Sequence, residues 1–293
     1  MAQQDAAQRD AAHATQRGAA HAAQRDGAER DAARRIPPLS AAALTAQLVR
    51  PGSLWREIRV VAETGSTNAD LLQQARAGAP AGLVLLAEAQ TAGRGRLGRS
   101  WVSTPRAALA CSVLLRPVAV PPSRRAWLPL LTGVAVASAL RSEAAVPARL
   151  KWPNDVLVAD RKIAGILAEA HGDAIVIGMG LNVSLTRAEL PVPTATSLVL
   201  EDAACTDRER LLTAILGELG RRYAAWSADP DAPGLHEEYL RWCATIGRTV
   251  RVELPGGAQL SGTATDVDMT GRLAVRTSAG TTLVSAGDVV HVR

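Results

Sequence analysis

The segment 93–99 alternates glycines and arginines in the order Gly-Arg-Gly-Arg-Leu-Gly-Arg. Glycines allow a backbone to approach a ligand closely, and planar guanidinium groups bind phosphate and carboxylate oxygens. The segment lacks the Gly-Lys-Ser/Thr ending of a P-loop, and arginines fill positions where a dinucleotide-binding turn packs its helix. Two interpretations stay open at this point: a lid that orders around an anion, and a solvated basic loop.

A second segment, 151–155, reads Lys-Trp-Pro-Asn-Asp at the end of a predicted strand. Pro153 blocks helix formation and favours an extended conformation for the residue before it. Lys151, Asn154 and Asp155 are therefore predicted to lie at a rim, where they can meet a ligand. Taken alone, Lys151 is also typical of a surface salt bridge.

Lys162 lies on the returning arm of a predicted hairpin, among residues with a buried pattern. A lysine in such surroundings needs an anionic partner, because burial of an unpaired charge is costly. The partner is either a phosphate or carboxylate of a ligand, or a protein carboxylate such as Glu169. The residues themselves leave both possibilities open.

Two shorter polar segments have simple local interpretations. Gly65-Ser66-Thr67-Asn68 is typical of a helix N-cap, and Gly178-Met179-Gly180-Leu181-Asn182 is typical of a turn that follows a strand. Either segment can instead contribute to a binding site. Neither decides the question alone.

The scarcest polar residue types all fall inside these segments. Of the 33 basic residues only Lys151 and Lys162 are lysines, and the chain has three asparagines, Asn68, Asn154 and Asn182. A bias that removed lysine and asparagine elsewhere spared these five positions. Their shared retention indicates that the segments form one site.

The elements that position these segments alternate between strands and helices. We predict strands near 56–64, 83–89, 108–117 and 174–184, a hairpin over 156–170 with its turn at Asp160-Arg161, and helices near 40–49, 67–77, 123–143, 207–226 and 234–243. After residue 246 the pattern alternates between apolar and polar residues with close turns, which predicts four or five short strands in a small β-barrel. With no phenylalanine in the chain, Leu, Val, Ile and Ala must build the core.

We therefore predict three regions. Residues 1–40 form a disordered tail rich in Ala, Gln, Arg and Asp; residues 41–245 form a central α+β domain; and residues 246–293 form the C-terminal β-domain.

Composition excludes several classes of protein. Three cysteines without a CxxC pair argue against a disulfide framework or a zinc site, and they indicate a reducing cytoplasm. The chain has no run of 18 apolar residues, so no membrane span is predicted. The first 40 residues lack the apolar block of a signal peptide. The net charge of +5 is spread thinly, which favours a plain basic surface over one that binds nucleic acid.

The order of the motifs resembles that of the biotin–protein ligase family. The motifs are Ser-Thr-Asn, Gln-x-x-Gly-Arg-Gly-Arg-x-Gly-Arg, Lys-Trp-Pro-Asn-Asp, Lys-x-x-Gly-Ile-Leu and Gly-x-x-x-Asn, and the resemblance covers about residues 55–293. It implies an α+β fold with a mixed β-sheet flanked by helices, similar to class II aminoacyl-tRNA synthetases, and a C-terminal SH3-like β-barrel. It also implies an enzyme that joins biotin to AMP, with ATP and Mg²⁺, and transfers biotin to a lysine of a biotin carboxyl carrier domain such as that of acetyl-CoA carboxylase.

The resemblance also assigns roles to residues. Biotin contacts are expected from Ser66, Thr67, Asn68, Gln90, Arg94, Gly95, Arg96 and Lys162. ATP and adenylate contacts are expected from Arg94, Arg96, Arg99, Trp101, Lys151, Asn154, Asp155 and Asn182. The predicted catalytic residues are Lys162, Arg96 and Asp155, with Asp155 as a Mg²⁺ ligand and as the candidate acceptor of the proton from the attacking lysine.

Two related functions remain for comparison. Some members of the family carry an N-terminal helix-turn-helix and repress transcription, but residues 1–50 lack three amphipathic helices, so DNA binding is not predicted. A lipoate or octanoate transferase of related fold is not expected to combine the Gly/Arg segment with Lys-Trp-Pro-Asn-Asp. The predicted assembly is a monomer or a weak homodimer, without a membrane partner.

Overall fold

The computed structural model describes residues 36–101, 104–254 and 256–292. Residues 1–35, most of the predicted tail, lie outside these ranges. Within them, no helix is both long enough and apolar enough to cross a membrane.

The larger of two sheets contains seven strands. They span Glu57–Thr64 (β1), Leu83–Gln90 (β2), Ala108–Leu115 (β3), Arg149–Lys151 (β4), Asp155–Val158 (β5), Arg161–His171 (β6) and Ala174–Asn182 (β7). Their order across the sheet is β1-β2-β3-β7-β6-β5-β4. β1 and β2 are parallel and the remaining neighbours are antiparallel, so the sheet is mixed, as predicted.

Five α-helices occur in the described residues. They span Ala41–Leu48 (α1), Thr67–Arg76 (α2), Trp127–Glu143 (α3), Arg208–Ala228 (α4) and Pro233–Trp242 (α5). The predicted helix over 123–143 begins later, because Pro122–Arg124 forms a separate 3-10 turn. The strand predicted to reach residue 117 ends at Leu115, close to Pro117, which has no N–H to continue a ladder.

Helices cover both faces of the larger sheet. In β2, Val84 and Leu86 face the main core that contains α3 and α4, whereas Leu83 and Leu85 pack with α2 on the opposite face. The side-chain period of two along a strand produces this division. Cys111 in β3 belongs to the main core, where its side chain is 2% exposed.

The smaller sheet is antiparallel and contains five strands. They span Thr249–Glu253 (β8), Gln259–Val267 (β9), Leu273–Thr277 (β10), Gly280–Val284 (β11) and Asp288–His291 (β12). Their order is β11-β10-β9-β8-β12. Across the described part of the chain, no pairing joins β11 to β12, so the five strands are confirmed while the closed barrel is not.

The smaller sheet docks on the larger one through the Lys-Trp-Pro-Asn-Asp segment. The indole N–H of Trp152 donates to the carbonyl of Gly271 at 3.0 Å, and the backbone N–H of Trp152 donates to Thr245 Oγ1 at 3.1 Å. The same Thr245 oxygen lies 3.1 Å from His291 Nε2 in β12. Trp152 is 1% exposed, so this buried side chain joins the two sheets.

Residues 36–40, which were predicted to end the tail, pack against β2 and the start of α4. Glu88 and Arg208 form a buried ion pair, and their remaining hydrogen-bonding capacity is used by this segment. Leu39 N–H donates to Glu88 Oε1, and Arg208 donates to the carbonyl of Pro37, both at 2.6 Å. A buried charge pair requires such extra hydrogen bonds, so residues 36–40 are part of the packed structure.

Candidate active site

The Gly/Arg segment folds back on itself as a short hairpin. Arg94 and Ser100 form a β-bridge, Gly95 N–H donates to the carbonyl of Arg99 at 2.6 Å, and Trp101 N–H donates to that of Gly93 at 2.9 Å. Leu97 occupies the tip with a φ of 55°. From this compact turn the three arginines reach different partners, which are Glu169 for Arg94, Asn154 for Arg96 and Asp288 for Arg99.

Arg96, in the Gly/Arg segment, makes two hydrogen bonds to residues outside that segment. It donates to Asn154 Oδ1 at 2.9 Å and to the carbonyl of Gly287 at 3.3 Å. Burial lowers the pKa of its guanidinium, and the carboxylates of Asp288 and Asp155 oppose that effect. The Gly/Arg segment 93–99, which we call the lid, is thereby tied to both the Lys-Trp-Pro-Asn-Asp segment and the C-terminal sheet.

Lys162 and Asp155 form an ion pair at 2.6 Å inside the site. Asp155 begins β5 and Lys162 lies near the start of β6, and the β5–β6 hairpin brings them together. Pairing with the protein carboxylate Glu169 was considered from the sequence; Glu169 instead accepts from Asn68 Nδ2 at 2.8 Å. The scarcity of asparagine drew attention to Asn68 in the sequence. Its hydrogen bond to Glu169 spans 101 residues, so no local pattern could reveal that contact.

The N-terminus of α2 supplies a network of polar side chains. Ser66 is the N-cap of this helix, as its local pattern predicts, and it also lines the cavity. Gln90 Oε1 accepts from Thr67 N–H at 2.8 Å. Ser112, which is completely buried, donates to Asn68 Oδ1 at 2.7 Å.

Ser112 was missed by the sequence analysis. It is a hydroxyl in the middle of the otherwise apolar strand Ala-Leu-Ala-Cys-Ser-Val-Leu-Leu. Because buried polar groups are normally hydrogen-bonded, such an isolated hydroxyl is a usable signal of a polar partner on the neighbouring layer.

The indole of Trp101 packs against a pair of facing glycines. Gly165 in β6 and Gly180 in β7 are register partners. A Cβ on Gly180 would meet the indole at 2.3 Å, and one on Gly165 would meet it at 3.2 Å. The indole N–H of Trp101 is buried and has no hydrogen-bond partner among the described residues, and Lys162 Nζ lies 5.9 Å from the ring centre.

Most of these groups surround one cavity of about 310 Å³, a volume within the usual range for small-molecule sites. Of the residues predicted from the sequence, it is lined by Ser66, Thr67, Asn68, Gln90, Arg94, Gly95, Arg96, Arg99, Trp101, Lys151, Asn154, Asp155 and Lys162. The separate motifs are therefore brought together as predicted.

Asn182 is the predicted site residue that does not line this cavity. Its side chain is 5% exposed and donates to the carbonyl of Thr196 at 2.9 Å. Thr196 N–H in turn donates to the carbonyl of Lys162, and Lys162 N–H donates to that of Thr194, both at 2.8 Å. In this structure Asn182 supports the segment that holds the backbone of Lys162.

The C-terminal sheet supplies a wall that the sequence analysis did not anticipate. Glu253, Asp288, Val289 and Val290 line the cavity. Asp288 forms an ion pair with Arg99, a residue 189 positions earlier in the chain. Separation of this size leaves no sequence pattern, so only the fold could identify this contact.

Lys151 faces the cavity from the end of β4. Burial lowers the pKa of its ammonium, the carboxylates of Asp155 and Asp288 oppose this effect, and the positive charges of Lys162 and Arg99 add to it. The cavity thus holds five cationic side chains in a confined space, an arrangement suited to an anionic ligand.

The described part of the chain contains no cluster of three or more His, Cys, Asp or Glu side chains that could hold a metal ion. Mg²⁺ in nucleotide sites needs only one or two carboxylates, because substrate phosphates and waters complete its shell. Asp155 and Asp288 both line the cavity, so the residues present fit an ion that arrives with a nucleotide.

Comparison with known proteins agrees with this architecture. Residues 60–182 match the biotin/lipoate A/B protein ligase family, and residues 245–292 match the biotin protein ligase C-terminal domain. The chain is 48% identical over 270 residues to the biotin–[acetyl-CoA-carboxylase] ligase of Mycobacterium tuberculosis, covering 90% of this chain and 99% of that protein.

Solved structures give the same assignment. The biotin protein ligase of Aquifex aeolicus in complex with biotin and ATP aligns with a TM-score of 0.70 and 27% identity, covering 82% of this chain and 100% of that one. The biotin protein ligase of Leishmania major in complex with biotinyl-5-AMP aligns with a TM-score of 0.57 and 26% identity, covering 79% and 98%. The chain therefore belongs to the biotin protein ligase family.

Proposed function

We propose that this protein is an ATP-dependent biotin–protein ligase, which forms biotinyl-AMP and transfers biotin to a lysine of a biotin carboxyl carrier domain. The observation that carries the proposal is the single cavity shared by Lys162, Arg94 and Arg96 with the polar network of Ser66–Asn68. A structure with Lys162 on the far side of the molecule from Arg94 would have contradicted the proposal. The names of the relatives point to the same activity.

In the first step, a carboxylate oxygen of biotin attacks the α-phosphorus of ATP. The bond from that phosphorus to the β-phosphate oxygen breaks, and pyrophosphate leaves. Two anions must meet, so Arg94, Arg96 and Lys162 contribute fixed positive charge to the developing phosphate. Arg96 is already oriented by Asn154 at 2.9 Å, which reduces the reorganisation that the reaction requires.

In the second step, the amine of the acceptor lysine attacks the carbonyl carbon of biotinyl-AMP, and AMP leaves. The amine must first be neutral, although its pKa in solution is about 10.4. Asp155 is the proposed acceptor of its proton. It is paired with Lys162, and an anionic ligand on Lys162 competes for that ammonium and frees a carboxylate oxygen.

The remaining assignments complete the proposal. Asn68, Gln90 and the α2 N-terminus recognise the ring of biotin, while Trp101 covers it and excludes water from the anhydride. Mg²⁺ that arrives with ATP neutralises phosphate charge, with Asp155 as its proposed ligand. Residues 246–293 are proposed to be an SH3-like domain that closes the site, residues 41–245 the catalytic domain, and residues 1–40 a tail.

The activity is tested by ATP-dependent incorporation of labelled biotin into a purified biotin carboxyl carrier domain. We expect incorporation at the carrier lysine that requires ATP and is lost when that lysine is replaced. Pyrophosphate exchange into ATP, with biotin compared against lipoate, tests the substrate. Exchange that depends on lipoate and not on biotin would overturn the assignment.

A further inference from the structure

A chain of hydrogen bonds links a carboxylate outside the cavity to hydroxyl groups in the cavity wall. Glu169 does not line the cavity, and its Oε2 accepts from Asn68 Nδ2 at 2.8 Å. The carbonyl of Leu167 accepts from the same amide nitrogen at 3.2 Å. On the other side of the amide, Asn68 Oδ1 accepts from Ser112 at 2.7 Å, and Ser112 Oγ lies 2.7 Å from Thr67 Oγ1. The chain reaches the cavity at Ser112 and Thr67, which both line it.

The outer end of this chain determines the direction of every hydrogen bond in it. An ionised carboxylate and a backbone carbonyl can only accept, so the amide nitrogen of Asn68 faces them and the amide oxygen faces Ser112. A serine hydroxyl has a single proton, and Ser112 donates it to Asn68. In the contact between Ser112 and Thr67, the serine oxygen therefore accepts and Thr67 donates.

Thr67 is consequently limited to one role towards a ligand. Its hydroxyl proton has two acceptors within the protein, Ser112 Oγ at 2.7 Å and Gln90 Oε1 at 3.0 Å. If Thr67 turned its proton to a ligand, the oxygens of Ser112 and Thr67 would lie 2.7 Å apart with no proton between them. A threonine hydroxyl can usually donate or accept, but here Thr67 Oγ1 offers the cavity only a lone pair.

We infer that Ser112 is a positioning residue that makes Thr67 a fixed hydrogen-bond acceptor and thereby selects a ligand ring with an N–H group at this point. The inference rests on the proposed function and deepens it. The ring of biotin is a cyclic urea, with two N–H groups that donate and one carbonyl that accepts. A ring oxygen in place of the N–H that meets Thr67 would set two acceptors against each other, and a site rejects a ligand that leaves its buried polar groups unpaired.

The probes are the two cyclic carbamate analogues of biotin, in each of which one N–H of the urea is replaced by a ring oxygen. They carry the same net charge as biotin, so a difference in affinity reports on hydrogen bonding. Dissociation constants are measured by calorimetry, without catalysis. We expect the wild type to bind at least one analogue, the one whose oxygen meets Thr67, about a hundredfold more weakly than biotin.

Ser112→Ala is the decisive variant. Its Thr67 hydroxyl loses the nearer acceptor and can turn to donate into the cavity, so the preference for biotin over that analogue should fall about tenfold or more. The affinity for biotin itself should fall about three- to tenfold, because Asn68 Oδ1 loses its donor. A loss of packing or folding weakens the binding of all three ligands alike, so the ratio of dissociation constants distinguishes hydrogen-bond direction from a structural role.

Thr132→Val is the matched control for the loss of a buried hydroxyl. Like Ser112, Thr132 is completely buried, and it donates to the carbonyl of Leu128 within α3 at 2.8 Å. Thr132 does not line the cavity. We expect Thr132→Val to keep the wild-type ratio of dissociation constants.

Glu169→Gln separates hydrogen-bond direction from charge. Glutamine can still accept from Asn68, and the carbonyl of Leu167 still orients the amide, so the preference for biotin should stay within about threefold of that of the wild type. A loss of preference as large as that in Ser112→Ala would show that the charge of Glu169 sets it, and would contradict the inference.

The outcomes for the inference and for the proposed function are distinct. An unchanged ratio in Ser112→Ala, or a wild-type protein that binds both analogues as tightly as biotin, would overturn the role of Ser112 and leave the ligase activity in place. A wild-type protein that binds no biotin would instead overturn the proposed function itself, and the role of Ser112 with it.

Discussion

The ammonium of Lys162 lies 2.6 Å from the carboxylate of Asp155, and both groups face the cavity. The pair keeps a positive and a negative charge in one confined place before any ligand binds. Each partner thereby has a proposed role in a different step, Lys162 towards the phosphate and Asp155 towards the attacking amine.

Asp155→Asn should slow the transfer of biotin from preformed biotinyl-AMP by about a hundredfold, a typical contribution of a positioned general base. Asparagine keeps the shape of the side chain but cannot accept the proton. The measurement is single-turnover labelling of a carrier domain. Asp173→Asn, which changes a half-exposed carboxylate in the turn between β6 and β7, is the control, and transfer at the wild-type rate in Asp155→Asn would rule out the base assignment.

Arg96→Gly should release biotinyl-AMP before transfer. The change removes the hydrogen bonds to Asn154 and Gly287 that hold the lid, each contributing about 1.5–3 kcal/mol for a charged donor. We expect retention of the adenylate to fall at least about tenfold and unrelated proteins to become biotinylated. Arg96→Lys, which keeps the charge but loses the planar fork, should be intermediate, and wild-type retention of adenylate by Arg96→Gly would contradict the role of the lid.

Gly180→Ala should displace Trp101 without strain in the backbone. The added methyl group would lie 2.3 Å from the indole, and overpacking costs about 1–3 kcal/mol, so the KM for biotin should rise roughly five- to a hundredfold. Gly217→Ala is the control: it lies in α4 with no atom within 4 Å of the added carbon. It should stabilise the protein by about 0.5–1 kcal/mol and leave the KM for biotin unchanged, and equal KM values in both variants would refute the packing argument.

His291 should make stability depend on pH between about 6.5 and 4. Burial, followed by the charges of Lys151 and Arg248, lowers the pKa of its imidazole to about 4, against an ordinary value of about 6.5 in the unfolded chain. Between these values the unfolded state binds a proton that the folded state does not, so the free energy of unfolding is highest above pH 6.5 and falls as the pH decreases towards 4.

The pH effect is measured by urea unfolding of wild type and His291→Gln across this range. Arg248 lies 3.2 Å from Nδ1, and an arginine can only donate, so Nδ1 accepts and Nε2 carries the proton that faces Thr245. Glutamine keeps a donor but does not titrate, and the slope of stability with pH should decrease. An identical slope in the two proteins would show that His291 is not the titrating group.

Much of the fold follows from local patterns. β2 is buried along its length except at its last residue, as an apolar run predicts, and Ser66 caps α2 as its residue type predicts. The helix α4 buries Leu211, Ile215 and Leu219 at helical spacing. Periodicity and capping depend on neighbours within a few residues, so a single sequence is enough to predict these elements.

The sequence by itself determined thirteen of the residues that line the cavity, because the Gly/Arg segment, Lys-Trp-Pro-Asn-Asp and the scarce lysines are recognisable without a structure. Only the tertiary structure decided how they are used. It paired Lys162 with Asp155, kept Asn182 out of the cavity and brought Asp288 into it. The physical reason is distance along the chain: a contact such as that of Arg99 with Asp288 depends on how two sheets dock, and sheet docking is set by the packing of the whole core.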